Sequence, residues 1–509
     1  MLTLMRSLGN DGPMKPMSNP TAFLGIDLGT SSIKVLALSS DGSVLAEATA
    51  AYPTDTPRPG WAEQDPAAWW AAAGAASRAV VARLPDGVEV VGVGLSGQMH
   101  TFVLSDGDGA PVRPAVTWMD TRAGALLEDV RRTIGEAGLA AELGNPVVLG
   151  LSLPPLVWLA EHESDVLRRA TWFLGAKDWL RMRMTGAAGA EPTDASATLL
   201  FDVPGRRWSR ATCEAFGIPT RLLPPLGASG ARAGALASEA ARHLGLPVGV
   251  PVAFGAGDQQ AAAVGTGTVR PGQMQLMVGT GAQALAVRAA PVVDAAGRLH
   301  AFAHVEGWLS QASVNNAGAA LDWARGVLGL AWAELYATLS DPALDDAPLF
   351  LPYLTGERTP LMKGHARGAW LGLAPEHGRR HLARAAVEGV VASIADGVAT
   401  LLEAGTPEGP VRASGGGLRE PAFAQALADA IGHPLDVLAS SAASAVGAAL
   451  LGGVAAGVYA DLGDAAAHAP LAVAATFAPR AERTAAWTAR RARARALDAL
   501  GLHEGIAGT

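Results

Sequence analysis

From residue 23 onward, short apolar runs alternate with sharp polar breaks. Phe23 to Ile26 and Ile33 to Leu38 are runs of strand length on either side of Asp27-Leu28-Gly29-Thr30-Ser31. Asp41-Gly42 breaks the chain again before a third run that ends near Thr49. Runs bounded in this way by Gly, Asp and Ser predict a three-stranded meander over residues 23–49. The spacing then becomes helical from Pro66 to Leu84, with Asp65 at the cap and Pro66 at the first position. Glu89 to Leu95 reads as a β-branched strand that delivers Ser96-Gly97-Gln98-Met99-His100 at its end. Val250 to Phe254 is a buried strand leading into Gly255-Ala256-Gly257-Asp258-Gln259-Gln260 and a small-residue helix. Met274 to Met277 and Ala282 to Val287 repeat the strand, turn, strand pattern around Val278-Gly279-Thr280-Gly281, and Val411 to Ser414 is a strand ending in Gly415-Gly416-Gly417. The fold class this predicts is α/β.

Val437 to Ala460 carries no charge over a length that could span a bilayer. Its residues are mostly Ala, Gly and Ser, it opens with the N-cap-like Ser440-Ser441, and it closes at Asp461. Small side chains in that pattern predict an interior helix lying close against a sheet, so no membrane partner is expected.

The chain's 509 residues exceed what one core serves, and they predict two domains, 21–265 and 266–509, with Asp258 at the seam. Residues 1–20 lack an apolar segment and a cleavage site, and read as a disordered extension rather than a signal peptide. A net charge of −8 implies no broad basic surface, so nucleic acid is not an expected partner. The basic run of Arg490, Arg491, Arg493 and Arg495 reads as a solvated stripe on a terminal helix. Cys213 is the only cysteine, which excludes an intrachain disulfide and fits a reducing, cytoplasmic setting.

The two Gly-Thr turns carry the chemistry. Glycine lets successive backbone N–H groups converge on an anion, and one such turn in each half would clamp a phosphate tail between them. Asp27, beside the first turn, is placed to hold Mg²⁺ against phosphates or to cap its own turn. Asp258, with Gly257 before it, is the candidate general base, the alternative being a helix cap. His100 is a candidate contact to a polyhydroxyl ligand or a structural histidine, and Trp61, Trp69 and Trp70 divide between sugar packing and core. No Gly-Lys dipeptide occurs, so a P-loop is excluded. The Gly92, Gly94, Gly97 spacing falls inside a strand and does not make a dinucleotide turn.

Together these segments resemble the FGGY carbohydrate kinase family, and within it most closely its xylulokinase branch. The segments are Gly25 to Ser31, Trp61-Ala62-Glu63-Gln64-Asp65-Pro66, Gly97 to His100, Lys177-Asp178-Trp179-Leu180-Arg181, Leu351 to Pro360, Gly368 to Glu388 and Gly415 to Gly417. The resemblance implies two ribonuclease-H-like domains of the actin and sugar-kinase type, with a nucleotide and sugar cleft between them. It implies Asp258 as the base, Met99, His100, Asp258 and Gln259 as acceptor contacts, and Asp27 beside Mg-ATP. Gly29, Thr30, Ser31, Gly279 and Thr280 would hold the phosphates, and Gly415, Gly416 and Gly417 the adenosine. The expected reaction is ATP-dependent phosphorylation of D-xylulose to D-xylulose 5-phosphate. A family kinase of glycerol, ribulose or an alditol is the alternative, and an actin-like ATP switch the rival from another class. A homodimer is left open.

Four positions depart from the family pattern. Gln259 stands where Asn is common in xylulokinases, so that Asp258-Gln259-Gln260 looks like the glycerol kinase version. Gly281 replaces a Ser, Pro155 a Lys and Phe477 a Tyr.

Overall fold

Two open sheets carry the same strand order. The computed structural model describes residues 20–135, 140–439, 442–469, 472–498 and 501. The extension expected over 1–20 lies outside these save for residue 20, as does the Ser440-Ser441 cap. In the first sheet Val44–Ala51, Ser32–Ser39 and Thr21–Leu28 form the expected antiparallel meander. Glu89–Gly97 then pairs parallel with Thr21–Leu28, and Pro251–Ala253 parallel with Glu89–Gly97. In the second sheet Trp308–Val314, Ala282–Arg288 and Met274–Val278 are antiparallel, followed by Val411–Ser414 and Leu435–Leu438 in parallel. In each half the first strand and its parallel neighbour therefore end side by side, and the sharp turns and glycine-rich segments leave the sheets there. Ligand sites of open α/β sheets lie at such carboxyl ends.

Helices fall close to where the spacing places them. Pro66–Val81 begins as expected, with the Asp65 carboxylate accepting from Ala67 N–H. It packs against Ser32–Ser39 and Val44–Ala51 through a side that includes Trp69, Ala73 and Val80. The longest apolar helix, Arg379–Leu402, has the length and composition to cross a membrane, but 78% of its apolar window is buried inside the fold. It packs on the second sheet. A four-stranded sheet, three of its strands between Gly97 and Arg232 and the fourth Glu63–Gln64, encloses with short helices a separate core that includes Phe102, Leu156 and Phe173.

The uncharged stretch forms the helix Ala443–Ala455, and its placement explains the glycines of the first sheet. A Cβ on Gly25 would lie 1.9 Å from Ala445 O, and one on Gly94 1.8 Å from Ala448 O. The helix therefore rides directly on the two central strands, and Gly92 and Gly94 serve that approach rather than a nucleotide turn. It also crosses Asp258–Gly265, where a Cβ on Gly447 would meet Ala261 O at 1.8 Å. A helix from the second half of the sequence thus completes the core of the first.

The terminal arginines correct the expectation of a solvated stripe. Arg491 is buried, donating to Asp396 Oδ1, Ala395 O and Ala430 O, and Arg490 donates to Pro348 O and pairs with Glu388. Arg493 and Arg495 remain exposed. The inward pair follows from helical spacing, which turns one side of Ala481–Asp498 onto the acidic side chains of Arg379–Leu402.

Candidate active site

Asp27 occupies the next-to-last position of its strand, half-buried, and its Oδ1 accepts from Ser96 Oγ at 3.0 Å. Among the described residues it makes no bond to its own turn, which closes instead through Gly29 N–H to Ser32 O at 3.0 Å. The capping alternative therefore falls away. Burial outweighs the Ser96 hydrogen bond and the Lys34 charge and raises the Asp27 pKa.

The first turn is held from three sides. Tyr52 donates its hydroxyl to Gly29 O, and Gln64 Nε2 donates to Thr30 O at 2.7 Å. Gln64 Oε1 in turn accepts from Trp69 Nε1 at 3.1 Å and Gln98 Nε2 at 2.9 Å. The Glu63-Gln64-Asp65-Pro66 segment thereby ties the turn to the end of the neighbouring strand. Trp118, which the sequence pattern did not single out, is 39% exposed and donates its indole N–H to Thr30 Oγ1 at 3.0 Å. Its backbone N–H bonds Thr101 Oγ1, next to His100, so Trp118 bridges the turn and the histidine segment. Trp61, by contrast, lies beneath the Arg122 guanidinium, and Trp69 is fully buried.

Asp258 is the first residue of its helix, and Gly257 holds the cap position. Its Oδ1 accepts from the Gln259 N–H at 2.7 Å, and its own carbonyl accepts from Ser444 Oγ at 3.2 Å, on the helix from the other half. Burial first, and then the charge of Asp27, push its pKa up to about 7. Carboxylates at the ends of the two strands that flank Glu89–Gly97 thus converge, and one of them titrates near neutrality. The side-chain Oε1 of Gln259 has no partner among the described residues.

Behind Asp258 is a buried ionic network. Gly257 N–H donates to Thr193 Oγ1 at 2.8 Å, and the Thr193 hydroxyl donates to Glu191 Oε1 at 2.8 Å. Glu191 pairs with Lys177 at 3.1 Å, and Lys177 also bonds Asp178 at 2.8 Å. Arg181 closes the network on Asp178 at 2.7 Å. The Lys177-Asp178 segment is therefore the rear support of the Gly257-Asp258 backbone, a role with no local signal because Glu191 and Thr193 lie on another element.

Met99 and His100 follow the same strand end. The Met99 side chain is buried against Gly257, where an added Cβ would meet its Cγ at 2.8 Å. His100 adopts φ +69° and directs Nδ1 to Ala197 O at 2.7 Å, leaving its other ring nitrogen without a partner among the described residues. Burial lowers its pKa to about 4, so the ring is neutral at physiological pH. Phe302 of the second half lies 6.3 Å from it, ring centroid to ring centroid, and His300 is stacked on Phe302 at 5.5 Å.

In the second half Gly279 and Thr280 are exposed. Their carbonyls accept from Ala317, Gly318 and Ala319 N–H, which fixes the turn to the start of the helix Gly318–Leu328. At Gly281 an added Cβ would lie 2.6 Å from Val314 O, so the departure from Ser has a steric reason. Gly415, at φ +112°, would place a Cβ 2.2 Å from Val278 O, so the Gly415 to Gly417 segment lies directly against the second turn. Pro155 sits in the first turn of Leu153–His162, where a backbone N–H has no intrahelical acceptor to lose. Phe477 packs against the second-half core. Cys213 is buried, its thiol pushed up to about 11, and unreactive on that account.

This geometry finds counterparts among known proteins. Residues 22–265 match the N-terminal domain, and residues 274–456 the C-terminal domain, of the FGGY family of carbohydrate kinases. The chain is 35% identical to the xylulose kinase of Escherichia coli strain K12, over 92% of this chain and 97% of that one. A xyloylose kinase from Brucella ovis superimposes with a TM-score of 0.88 at 34% identity, covering 94% of this chain and 99% of the other. A xylulose kinase from Rhodospirillum rubrum does so at 0.87 and 29%, covering 94% and 98%. The protein is a two-domain α/β sugar kinase that takes ATP as a substrate, and it belongs to the FGGY family of carbohydrate kinases.

Proposed function

We propose that the chain transfers the γ-phosphoryl group of ATP to D-xylulose, giving D-xylulose 5-phosphate and ADP. The observation that carries the reading is Asp258, a carboxylate poised near neutrality beside Asp27 and the first Gly-Thr turn. The relatives' substrate supports the choice of sugar. In this reading the C5 hydroxyl attacks the γ-phosphorus, the bond to the bridging oxygen of ADP breaks, and the hydroxyl proton passes to Asp258. Phosphoryl transfer asks for positioning and charge stabilisation more than for covalent chemistry.

Gly29, Thr30, Ser31, Gly279 and Thr280 hold the phosphates from opposite sides, and Gly415 to Gly417 receive the adenosine. Met99, His100 and Gln259 contact the acceptor, with the neutral His100 and the unpartnered Gln259 Oε1 as hydrogen-bonding groups. Asp27 fits Mg²⁺, because Ser96 occupies only its Oδ1 and the ion is ordinarily held by one or two carboxylates together with substrate phosphates. When bound, the ion neutralises charge on the phosphates. We place the domain division near Gly265 and the enzyme in the cytoplasm.

A second reading, a family kinase of glycerol, ribulose or an alditol, is favoured by Asp258-Gln259-Gln260. The test is ADP release from Mg-ATP across D-xylulose, D-ribulose, L-ribulose, glycerol and xylitol, with a no-sugar blank. A preference for D-xylulose is expected. Preference for another polyol would reassign the acceptor, and no sugar-dependent release would remove the reading.

A further inference from the structure

Arg358 brings a positive charge to the site that the mechanism above does not use. It lies in the Thr355 to Pro360 loop, half-buried, and its guanidinium has no hydrogen bond or ion pair among the described residues. The adjacent carboxylate does not neutralise it by contact. Glu357 Oε1 accepts from the backbone N–H groups of Asn315 and Arg358, and its Oε2 accepts from Asn316 Nδ2 at 3.1 Å. A guanidinium withdrawn from water without a partner is unfavourable, and folds keep one where a ligand supplies the missing acceptors.

The loop is anchored to the second-half strands that lie nearest His100. Thr359 N–H donates to Ser313 O at 2.9 Å, and Thr359 Oγ1 accepts from Ser313 N–H at 3.2 Å and donates to Arg298 O at 2.6 Å. Those contacts set the Arg358 backbone beside the strand His300–Ala303, whose Phe302 ring lies 6.3 Å from that of His100 and is stacked on His300. The Arg358 charge acts on both imidazoles, lowering the pKa of His100 and of His300. From Asp258 the site runs past Gly257 and Met99 to His100, and Arg358, contributed by the second half of the chain, lies on the His100 side.

We propose that Arg358 is an acceptor-binding residue that grips the end of the sugar opposite the attacked hydroxyl. This rests on the ketose kinase reading above. With C5 at Asp258, that end of D-xylulose carries the C2 carbonyl and the C1 hydroxyl, two adjacent oxygens that match the planar fork of a guanidinium. His100 and His300, both neutral, add hydrogen-bonding capacity there without competing for the charge. Because His100 comes from the first half and Arg358 from the second, the acceptor binds fully only when both halves close on it.

The test compares Arg358→Gln and Arg358→Lys with the wild-type enzyme. Wild-type turnover with D-xylulose against the no-sugar blank tests the kinase reading by itself. The variants then test Arg358 through the separate KM values for acceptor and for ATP. Loss of a charged donor to a bound ligand predicts a rise in the D-xylulose KM of roughly 10- to 100-fold in Arg358→Gln, with the ATP KM within about twofold of wild type. Arg358→Lys keeps the charge but not the fork, and a smaller rise is expected. A wild-type acceptor KM in either variant overturns the proposal. So does an ATP KM that climbs in step with the acceptor KM, which marks a loop needed only for structure.

Discussion

At the residue scale the decisive quantity is the proton on Asp258. Burial and the Asp27 charge both disfavour its carboxylate, and the pKa of about 7 means that the base form is complete only above neutrality. The kcat/KM for the acceptor is therefore expected to fall about tenfold per pH unit below pH 7 and to level off above it. A profile flat from pH 6 to 8 would remove Asp258 as the titrating base. Asp258→Asn should lower kcat by roughly 10²- to 10⁴-fold with ATP affinity little changed. The same shift has a stability consequence of determined sign. The folded carboxyl keeps its proton up to about pH 7 while the unfolded one releases it near the ordinary aspartate value of 3.8, so the folded state binds more protons across that window. Stability contributed by this site therefore falls as pH rises from about 4 to 7, a loss Asn escapes. The melting temperature of Asp258→Asn should exceed that of wild type by more at pH 8 than at pH 5.

At the element scale the sequence was informative wherever the signal was local. The meander, the Asp65 cap and the strand ending in Gly415 could be read from spacing and turn residues alone. So could the closeness of the uncharged helix, because only small side chains permit it. What could not be read was the surface it approaches, since Gly25, Gly92 and Gly94 precede Ala443–Ala455 by hundreds of residues and lie in the other half. The same limit hid Trp118, the Glu191 and Thr193 support of Asp258, and the unpartnered state of Arg358. Whether a charged side chain has a partner is decided by elements remote in the chain. Two alanine substitutions separate backbone approach from mere glycine content. Gly94→Ala places a Cβ 1.8 Å from Ala448 O and should cost about 1–3 kcal/mol, as overpacking does, read by urea unfolding. Gly326→Ala, in a helix with nothing within 4 Å, should stabilise by roughly 0.5–1 kcal/mol. If both variants were destabilised alike, the close helix approach would not be what fixes Gly94.

At the scale of the whole molecule, the helix Ala443–Ala455 links the two sheets to the chemistry. It lies on the central strands of the first sheet, crosses the helix that begins at Asp258, and bonds the Asp258 carbonyl through Ser444. The second turn and the Gly415 to Gly417 segment belong to the other sheet and are packed on each other through Val278. Each half is thus internally stiff, with the base and first turn on one and the second turn on the other. A phosphate tail held by both turns must draw them together, and so must a sugar gripped by His100 and Arg358. Closure of this kind excludes water, which would otherwise accept the phosphoryl group. The radius of gyration from small-angle X-ray scattering should therefore fall when D-xylulose and a non-hydrolysable Mg-ATP analogue are added together. Either ligand alone should give a smaller decrease, because each bridges the halves at one place only. A radius unchanged by the pair would mean that the turns already stand at their working separation. Protection from water would then have to come from the local fit around Asp258, and a high rate of ADP release without sugar would be the accompanying sign.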